Sequence, residues 1–67
     1  MFGARLSAVR QGLGISQEDL ALAAGVGRSY LSGVERGRRN VSLVNICKLA
    51  QTLGVRPSVL LDFDVPV

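Results

Sequence analysis

Four arginines near the middle of this 67-residue chain are the residues whose type and spacing best define a chemistry. Arg28, Arg36, Arg38 and Arg39 lie within a stretch of twelve residues, interrupted by a single acidic residue, Glu35. A guanidinium group presents a planar fork of donors that matches phosphate oxygens, so a dense arginine cluster is typical of a polyanion binder. The net charge of the whole chain is only +3. The local clustering, rather than the total charge, therefore indicates an anionic partner.

Composition gives little support to catalysis or metal binding. The chain contains no histidine and one cysteine, Cys47, which cannot form an internal disulfide or assemble a zinc site alone. The carboxylates are scattered across predicted helix ends, so we find no catalytic constellation. No apolar stretch is long enough to span a bilayer, and the N-terminus lacks a signal-peptide pattern. We therefore expect a cytoplasmic, non-enzymatic protein without metal or cofactor.

The apolar periodicity predicts an all-α chain of five helices, each of about eight to thirteen residues. A first helix over residues 2–13 presents Leu6, Val9 and Leu13 at helical spacing. The second and third helices are expected over residues 17–24 and 28–36. A fourth follows Ser42 and ends at Gly54, and a fifth starts at Pro57 and buries Val59, Leu60 and Phe63. Residues 1–67 are thus predicted to form a single domain.

Local signals define several helix ends. Ser16 is expected to cap the second helix by accepting a hydrogen bond from the backbone N–H of Asp19, and Ser42 to cap the fourth. Glycine at position 25 permits the left-handed backbone that a sharp helix exit requires. The predicted buried stripe of the fourth helix makes Cys47 an inert core residue. That stripe comprises Leu43, Ile46, Cys47, Ala50 and Leu53.

Residues 17–36 (QEDLALAAGVGRSYLSGVER) form the most informative pattern in the chain, because they predict two short helices joined by a tight turn. Ala21 and Ala24 are small enough to let the two helix axes approach closely. The basic run follows the second of these helices directly. A chain built this way presents one helix as a probe while the other braces it, so double-stranded DNA is the first partner to consider.

This arrangement resembles the Cro/repressor-type (XRE) helix-turn-helix family of phage and bacterial transcription regulators. The resemblance covers roughly residues 3–63 and is strongest over residues 15–21 (ISQEDLA), 25–26, 31–37, 49–50 and 53–55. Residues 28–37 with 39–40 are most similar to restriction–modification controller proteins, small dimers that regulate their own gene and that of the endonuclease. The resemblance implies a five-helix repressor-like domain whose helices 2 and 3 form the helix-turn-helix. It also implies a homodimer on a palindromic operator.

Base reading is expected at the N-terminal end of the third helix, where the family places its readers. Arg28 can donate two hydrogen bonds to a guanine, although a solvated or phosphate-bound arginine is the alternative. The other positions assigned to base reading are Ser29, Ser32 and Gly33. Gly33 has no side chain to read with, so it is either a neutral replacement or a site where the helix backbone approaches the groove floor.

Phosphate contacts are expected around these readers, and they would position the protein without reading sequence. Gln17 lies at the N-terminus of the second helix, where its amide and the backbone N–H groups can hold a phosphate. Tyr30 could instead pack as an amphipathic ring at the domain edge. The residues assigned to phosphate binding are Gln17, Tyr30, Arg36, Arg38, Arg39 and Asn40.

Two further expectations concern the architecture. Arg10 lies on the apolar face of the first helix and Glu35 follows the inward face of the third. Because a charge facing a core needs a partner, we predict a structural Arg10–Glu35 ion pair, which the family also shows. Residues 55–67 contain apolar side chains that extend beyond the first core layer. They could cap the core of their own domain, whereas the resemblance implies a twofold dimer interface there. The residues assigned to it are Val55, Val59, Leu60, Phe63 and Val65.

Three other interpretations fit parts of the pattern. Small phage-type repressors share many of the same segments. An antitoxin-like module would use the helix-turn-helix surface to bind another protein, although an acidic or apolar third helix would suit that role better than one bearing Arg28. An enzyme accessory domain is disfavoured because the chain is self-contained. We expect no small-molecule effector, since the five helices leave no room for a second domain.

Overall fold

The computed structural model describes residues 1–64 as five helices, and that range contains no strand. The helices are α1 (Phe2–Gly12), α2 (Gln17–Ala24), α3 (Arg28–Glu35), α4 (Leu43–Leu53) and α5 (Pro57–Leu60). The predicted all-α class with five helices is confirmed. Within the described residues, no helix has the length and apolarity needed to cross a bilayer.

The last helix is short, and its length falls below the expected range of eight to thirteen residues. It has four residues rather than at least eight, and Phe63 lies beyond its end, half-buried. The two carboxylates that follow, Asp62 and Asp64, lie where negative charge opposes the helix dipole, which disfavours extension of α5. These carboxylates predict a short fifth helix, as found, but the expected minimum of about eight residues was wrong for α5.

All five helices contribute to one core. Helix α3 packs against α1 and α2, while α4 packs against α2 and α5, and α1 also contacts α5. The fully buried side chains are mostly leucines, which fill the space between these helices. Removing their apolar surface from water stabilises the fold. The buried residues of this core are Leu6, Leu20, Ala21, Leu31, Val34, Leu49, Ala50, Leu53 and Leu60.

The predicted helix ends are present in the structure. Ser16 Oγ accepts a hydrogen bond from the Asp19 backbone N–H at 3.0 Å, and Ser42 Oγ accepts one from Asn45 at 3.1 Å. Gly25 follows α2 with a φ of 71°, the left-handed conformation that glycine adopts without strain. These caps fix where α2 and α4 begin and where the turn before α3 starts.

The buried face of α4 differs from the prediction. Its buried residues are Ile46, Leu49, Ala50 and Leu53, whereas Leu43 and Cys47 are exposed. Cys47 lies about 100° around the helix from Ile46 and so faces away from the core. Leu43 is the first residue of α4, and it is 70% exposed. Both assignments to the core were wrong.

A side chain of α1 holds α5 in place. Arg5 Nε donates a hydrogen bond to the Val59 carbonyl oxygen at 2.8 Å, and its Nη2 lies 3.9 Å from Asp62 Oδ2. The carbonyls of the last helical turn have no partner within the helix, so a cation there satisfies one of them and favours the dipole. Arg5 thus links the first and last helices of the fold.

Candidate nucleic-acid interface

Most of the residues assigned to DNA contact line one open, concave surface, and the cavity that it encloses has a volume of about 550 Å³. It is formed by the start of α2, one face of α3 and the loop after α3. We call it the arginine-rich surface. Its residues are Gln17, Arg28, Ser29, Ser32, Gly33, Arg36, Arg38 and Arg39. The fold therefore gathers both the expected base readers and four arginines on one face, where their positive charges add to one local potential.

The turn between α2 and α3 determines how the arginine-rich surface is presented. Gly25 ends α2, Val26 packs against the core, and Gly27 precedes α3 in an extended conformation. The opposite face of α3 is anchored by its buried residues Leu31 and Val34. As a result Arg28, the first residue of α3, projects into solvent together with its neighbour Ser29.

Among residues 1–64, Arg28 makes one ionic contact. Its Nη1 lies 3.4 Å from Glu18 Oε2, and the two side chains are 65% and 71% exposed. An ion pair this exposed contributes little free energy because water and salt screen it. Arg28 can therefore exchange Glu18 for another acceptor at small cost. No sequence pattern had indicated this pair.

The predicted ion pair between Arg10 and Glu35 is present and bidentate. Arg10 Nε donates to Glu35 Oε2 at 2.8 Å and Nη2 donates to Oε1 at 3.0 Å. The two side chains are 12% and 6% exposed. Arg10 Nη1 also donates to the Ile15 carbonyl oxygen at 2.8 Å, so the guanidinium joins α1, the turn before α2, and the end of α3. This geometry suits a structural role.

Gln17 has a partner that the sequence did not reveal. Its Nε2 donates a hydrogen bond to Glu35 Oε1 at 3.1 Å. The carboxylate that pairs with Arg10 therefore also fixes the first side chain of α2. The amide nitrogen of glutamine carries a second hydrogen, and the first backbone N–H groups of α2 have no partner within the helix. The assignment of Gln17 to phosphate binding stays a prediction.

Tyr30 is held at the edge of the arginine-rich surface. Its hydroxyl accepts a hydrogen bond from Asn45 Nδ2 at 3.0 Å and lies 3.5 Å from the Asn40 carbonyl oxygen. The guanidinium carbon of Arg39 lies 5.3 Å from the centre of the tyrosine ring, within the range of a cation–π interaction. Tyr30 and Asn40 are outside the lining of the concave surface itself. Asn45 was missed by sequence reasoning, because no pattern in the sequence marks it.

The space above Gly33 is filled by the chain itself. A Cβ at this position would lie 2.5 Å from Arg39 Cγ. The structure thus gives a reason for the glycine that differs from the expected approach of the helix backbone to a groove floor: an arginine side chain crosses there.

The C-terminal segment only partly matches the expected dimer interface. Val55, Val59 and Phe63 are half-buried and so retain surface for a partner. Leu60 is fully buried in the core of its own chain, so its assignment to the interface was wrong. Val65 lies outside the described residues.

Comparisons with known proteins agree with this geometry. A family model described as "Helix-turn-helix" matches residues 6–60. Control protein C.BamHI from Bacillus amyloliquefaciens is 47% identical over 64 residues, which cover 94% of this chain and 79% of that protein. The crystal structure of the restriction-modification controller protein C.AhdI from Aeromonas hydrophila is 58% identical. Its alignment covers 88% of this chain and 89% of that chain, with a TM-score of 0.86.

One similar structure contains nucleic acid. SinR, described as a master regulator for biofilm formation and known from Bacillus subtilis, has been solved in complex with DNA. It is 40% identical, with 92% of this chain and 100% of that chain covered and a TM-score of 0.86.

Proposed function

The chain belongs to the XRE-type helix-turn-helix family, and we propose that it is a DNA-binding transcription regulator of the restriction–modification controller type, acting as a homodimer on a palindromic operator. The observation that supports this most is the arginine-rich surface. It combines an exposed helix N-terminus bearing Arg28 with the arginines of the following loop in a single concavity. Similarity to C.BamHI and C.AhdI supports the controller assignment.

In the proposed complex, α3 enters the major groove with its N-terminal end. Arg28 and Ser29 are exposed there and reach base edges, with Arg28 donating to guanine O6 and N7. Ser32 and Gly33 lie one turn further along and line the same concavity. Because serine and glycine offer few donors, direct readout depends mainly on Arg28, and DNA deformability supplies part of the specificity.

Phosphate contacts surround this helix. Arg36, Arg38 and Arg39 are exposed on the loop side of the arginine-rich surface, and the start of α2 lies on the other side. Backbone N–H groups at a helix N-terminus favour an anion, and the side chain of Gln17 adds a donor there. Two sets of phosphate contacts on either side of α3 would fix its register in the groove.

Dimerisation is proposed through the C-terminal segment, where Val55, Val59 and Phe63 keep exposed apolar surface. A twofold arrangement would repeat the DNA contacts about one helical turn apart. The operator would then be an approximate palindrome that mirrors the symmetry of the protein. Occupancy of that site, set by protein concentration, would be the regulatory signal.

Selection of bound sequences from random duplex DNA tests this function. We expect enrichment of an approximate palindrome whose half-sites are centred about 10 base pairs apart or a multiple of that spacing. Sedimentation of the complex should give two protomers per selected duplex. Enrichment of no sequence, or of a single half-site bound by one protomer, would contradict the proposal.

The loop arginines should control the salt dependence of binding. Replacing both Arg38 and Arg39 by alanine leaves two phosphates per protomer without a protein cation. The slope of log K against log salt concentration should therefore become shallower by about 0.9 for each phosphate that is no longer neutralised. Affinity for the operator and for random duplex should both fall. Lys48→Ala is the matched control, because Lys48 is an exposed cation on α4 outside the arginine-rich surface. An unchanged slope in the double variant would exclude the assigned role.

A further inference from the structure

Arg39, an exposed residue of the arginine-rich surface, makes three contacts with its own chain. Its backbone N–H donates to the Gly33 carbonyl oxygen at 3.2 Å. Its aliphatic side chain crosses directly over Gly33, and its guanidinium carbon lies 5.3 Å from the centre of the Tyr30 ring. Tyr30 is in turn hydrogen-bonded by Asn45 from α4. The neighbouring Arg38 shares only the backbone contact with Gly33, at 2.8 Å.

The path of this side chain depends on the missing Cβ of Gly33. A Cβ there would lie 2.5 Å from Arg39 Cγ and 3.5 Å from both its Cβ and its Cδ. Real Cβ atoms do not tolerate the shorter distance, and the atom that would be displaced is near the root of the side chain. The arginine would therefore have to leave its position rather than adjust its tip. Gly33 lies inside a helix, where glycine is otherwise less favourable than alanine.

We propose that Gly33 is a positioning residue whose role is to seat Arg39 across α3, so that the guanidinium is ordered before DNA arrives. This inference rests on the proposed DNA-binding function and identifies one residue that orders the binding surface. A long side chain that is free in solution loses rotamer freedom when it binds a phosphate, and a side chain already held in place loses less. The glycine thus contributes to affinity without touching DNA.

A double-mutant cycle tests this role. The proteins are the wild type, Gly33→Ala, Arg39→Ala and the double variant, titrated against the selected operator by fluorescence anisotropy at one salt concentration. Gly33→Ala should weaken binding roughly two- to tenfold, the size expected for ordering one long side chain. In the Arg39→Ala background the same glycine replacement should change affinity less than about twofold, because no side chain remains to be displaced.

Thermal unfolding separates positioning from a general loss of stability. In the Arg39→Ala background, Gly33→Ala should not lower Tm, since alanine is the better helix former. If Gly33→Ala alone fails to fold, the double variant should fold and bind as Arg39→Ala does. A double variant that is also unfolded would overturn the inference, because Gly33 would then serve the packing of α3 itself.

The matched control is Gly12→Ala, at a helical glycine where an added Cβ meets nothing within 4 Å. Its affinity should equal that of the wild type. Wild-type affinity in Gly33→Ala, or independent losses that multiply in the double variant, would contradict the seating role while leaving the proposed function intact. Failure of the wild type itself to bind duplex DNA would contradict the proposed function and the inference with it.

Discussion

Glu35→Ala should lower the free energy of unfolding by about 3–5 kcal/mol, the typical effect of removing one partner of a buried ion pair. The replacement leaves the Arg10 side chain, which is 12% exposed in the native protein, without its paired carboxylate, and it removes the acceptor of Gln17. In a domain of this size each kcal/mol shifts Tm by about 4–8 °C. Chemical and thermal unfolding followed by far-UV circular dichroism would measure the loss.

Glu18→Ala provides the control for that experiment. Glu18 also pairs with an arginine, but its side chain is 71% exposed, so its removal should cost less than about 1 kcal/mol. The contrast between two glutamates in one small domain isolates burial as the cause. Equal losses for the two variants would show that the Arg10–Glu35 pair is superficial in solution.

Arg28→Ala should reduce affinity for the selected operator by about 1–3 kcal/mol for each half-site, the range for a good bidentate base contact. Its affinity for random duplex should fall much less, because a base contact adds nothing on the wrong sequence. The exposed Glu18 pairing does not offset this loss, since it contributes little free energy. Competition titrations with operator and random duplexes would give the two affinities.

Two comparisons strengthen that result. Arg38→Ala should weaken operator and random binding by similar factors, because a phosphate contact carries no sequence information. An operator altered at the guanine that Arg28 reads should lose affinity for the wild type but not for Arg28→Ala. Equal losses on both duplexes for Arg28→Ala would remove Arg28 from the base-reading assignment.

The sequence predicted the parts of the fold that depend on local signals. Ser16 and Ser42 mark helix starts because a hydroxyl at that position satisfies a free backbone N–H. The buried Arg10–Glu35 pair was predictable as well, because a charge on an inward face is costly unless an opposite charge pairs with it. Residue type and spacing over a few helical turns are sufficient to predict these features.

The errors and omissions arise from packing between elements. The face that α4 turns inward depends on its rotation against α2 and α5, so periodicity alone placed Cys47 on the wrong side. Leu60 is apolar whether it faces a core or a partner, and only the three-dimensional fold shows which. The Arg39 side chain lies over Gly33 because the loop after α3 turns back toward that helix, and no sequence pattern specifies the course of this loop.

Helix α1 contacts both α3, which carries part of the arginine-rich surface, and α5 in the C-terminal segment. Arg10 fixes it to the end of α3, and Arg5 fixes it to α5. These arginines are five positions apart in the sequence, which places them about 7.5 Å apart along the axis and about 140° apart around it. In a dimer joined through α5, the distance between the two copies of α3 would depend on how α3, α1 and α5 pack within each protomer. The half-site spacing of the operator would then depend on how α1 connects α3 to α5.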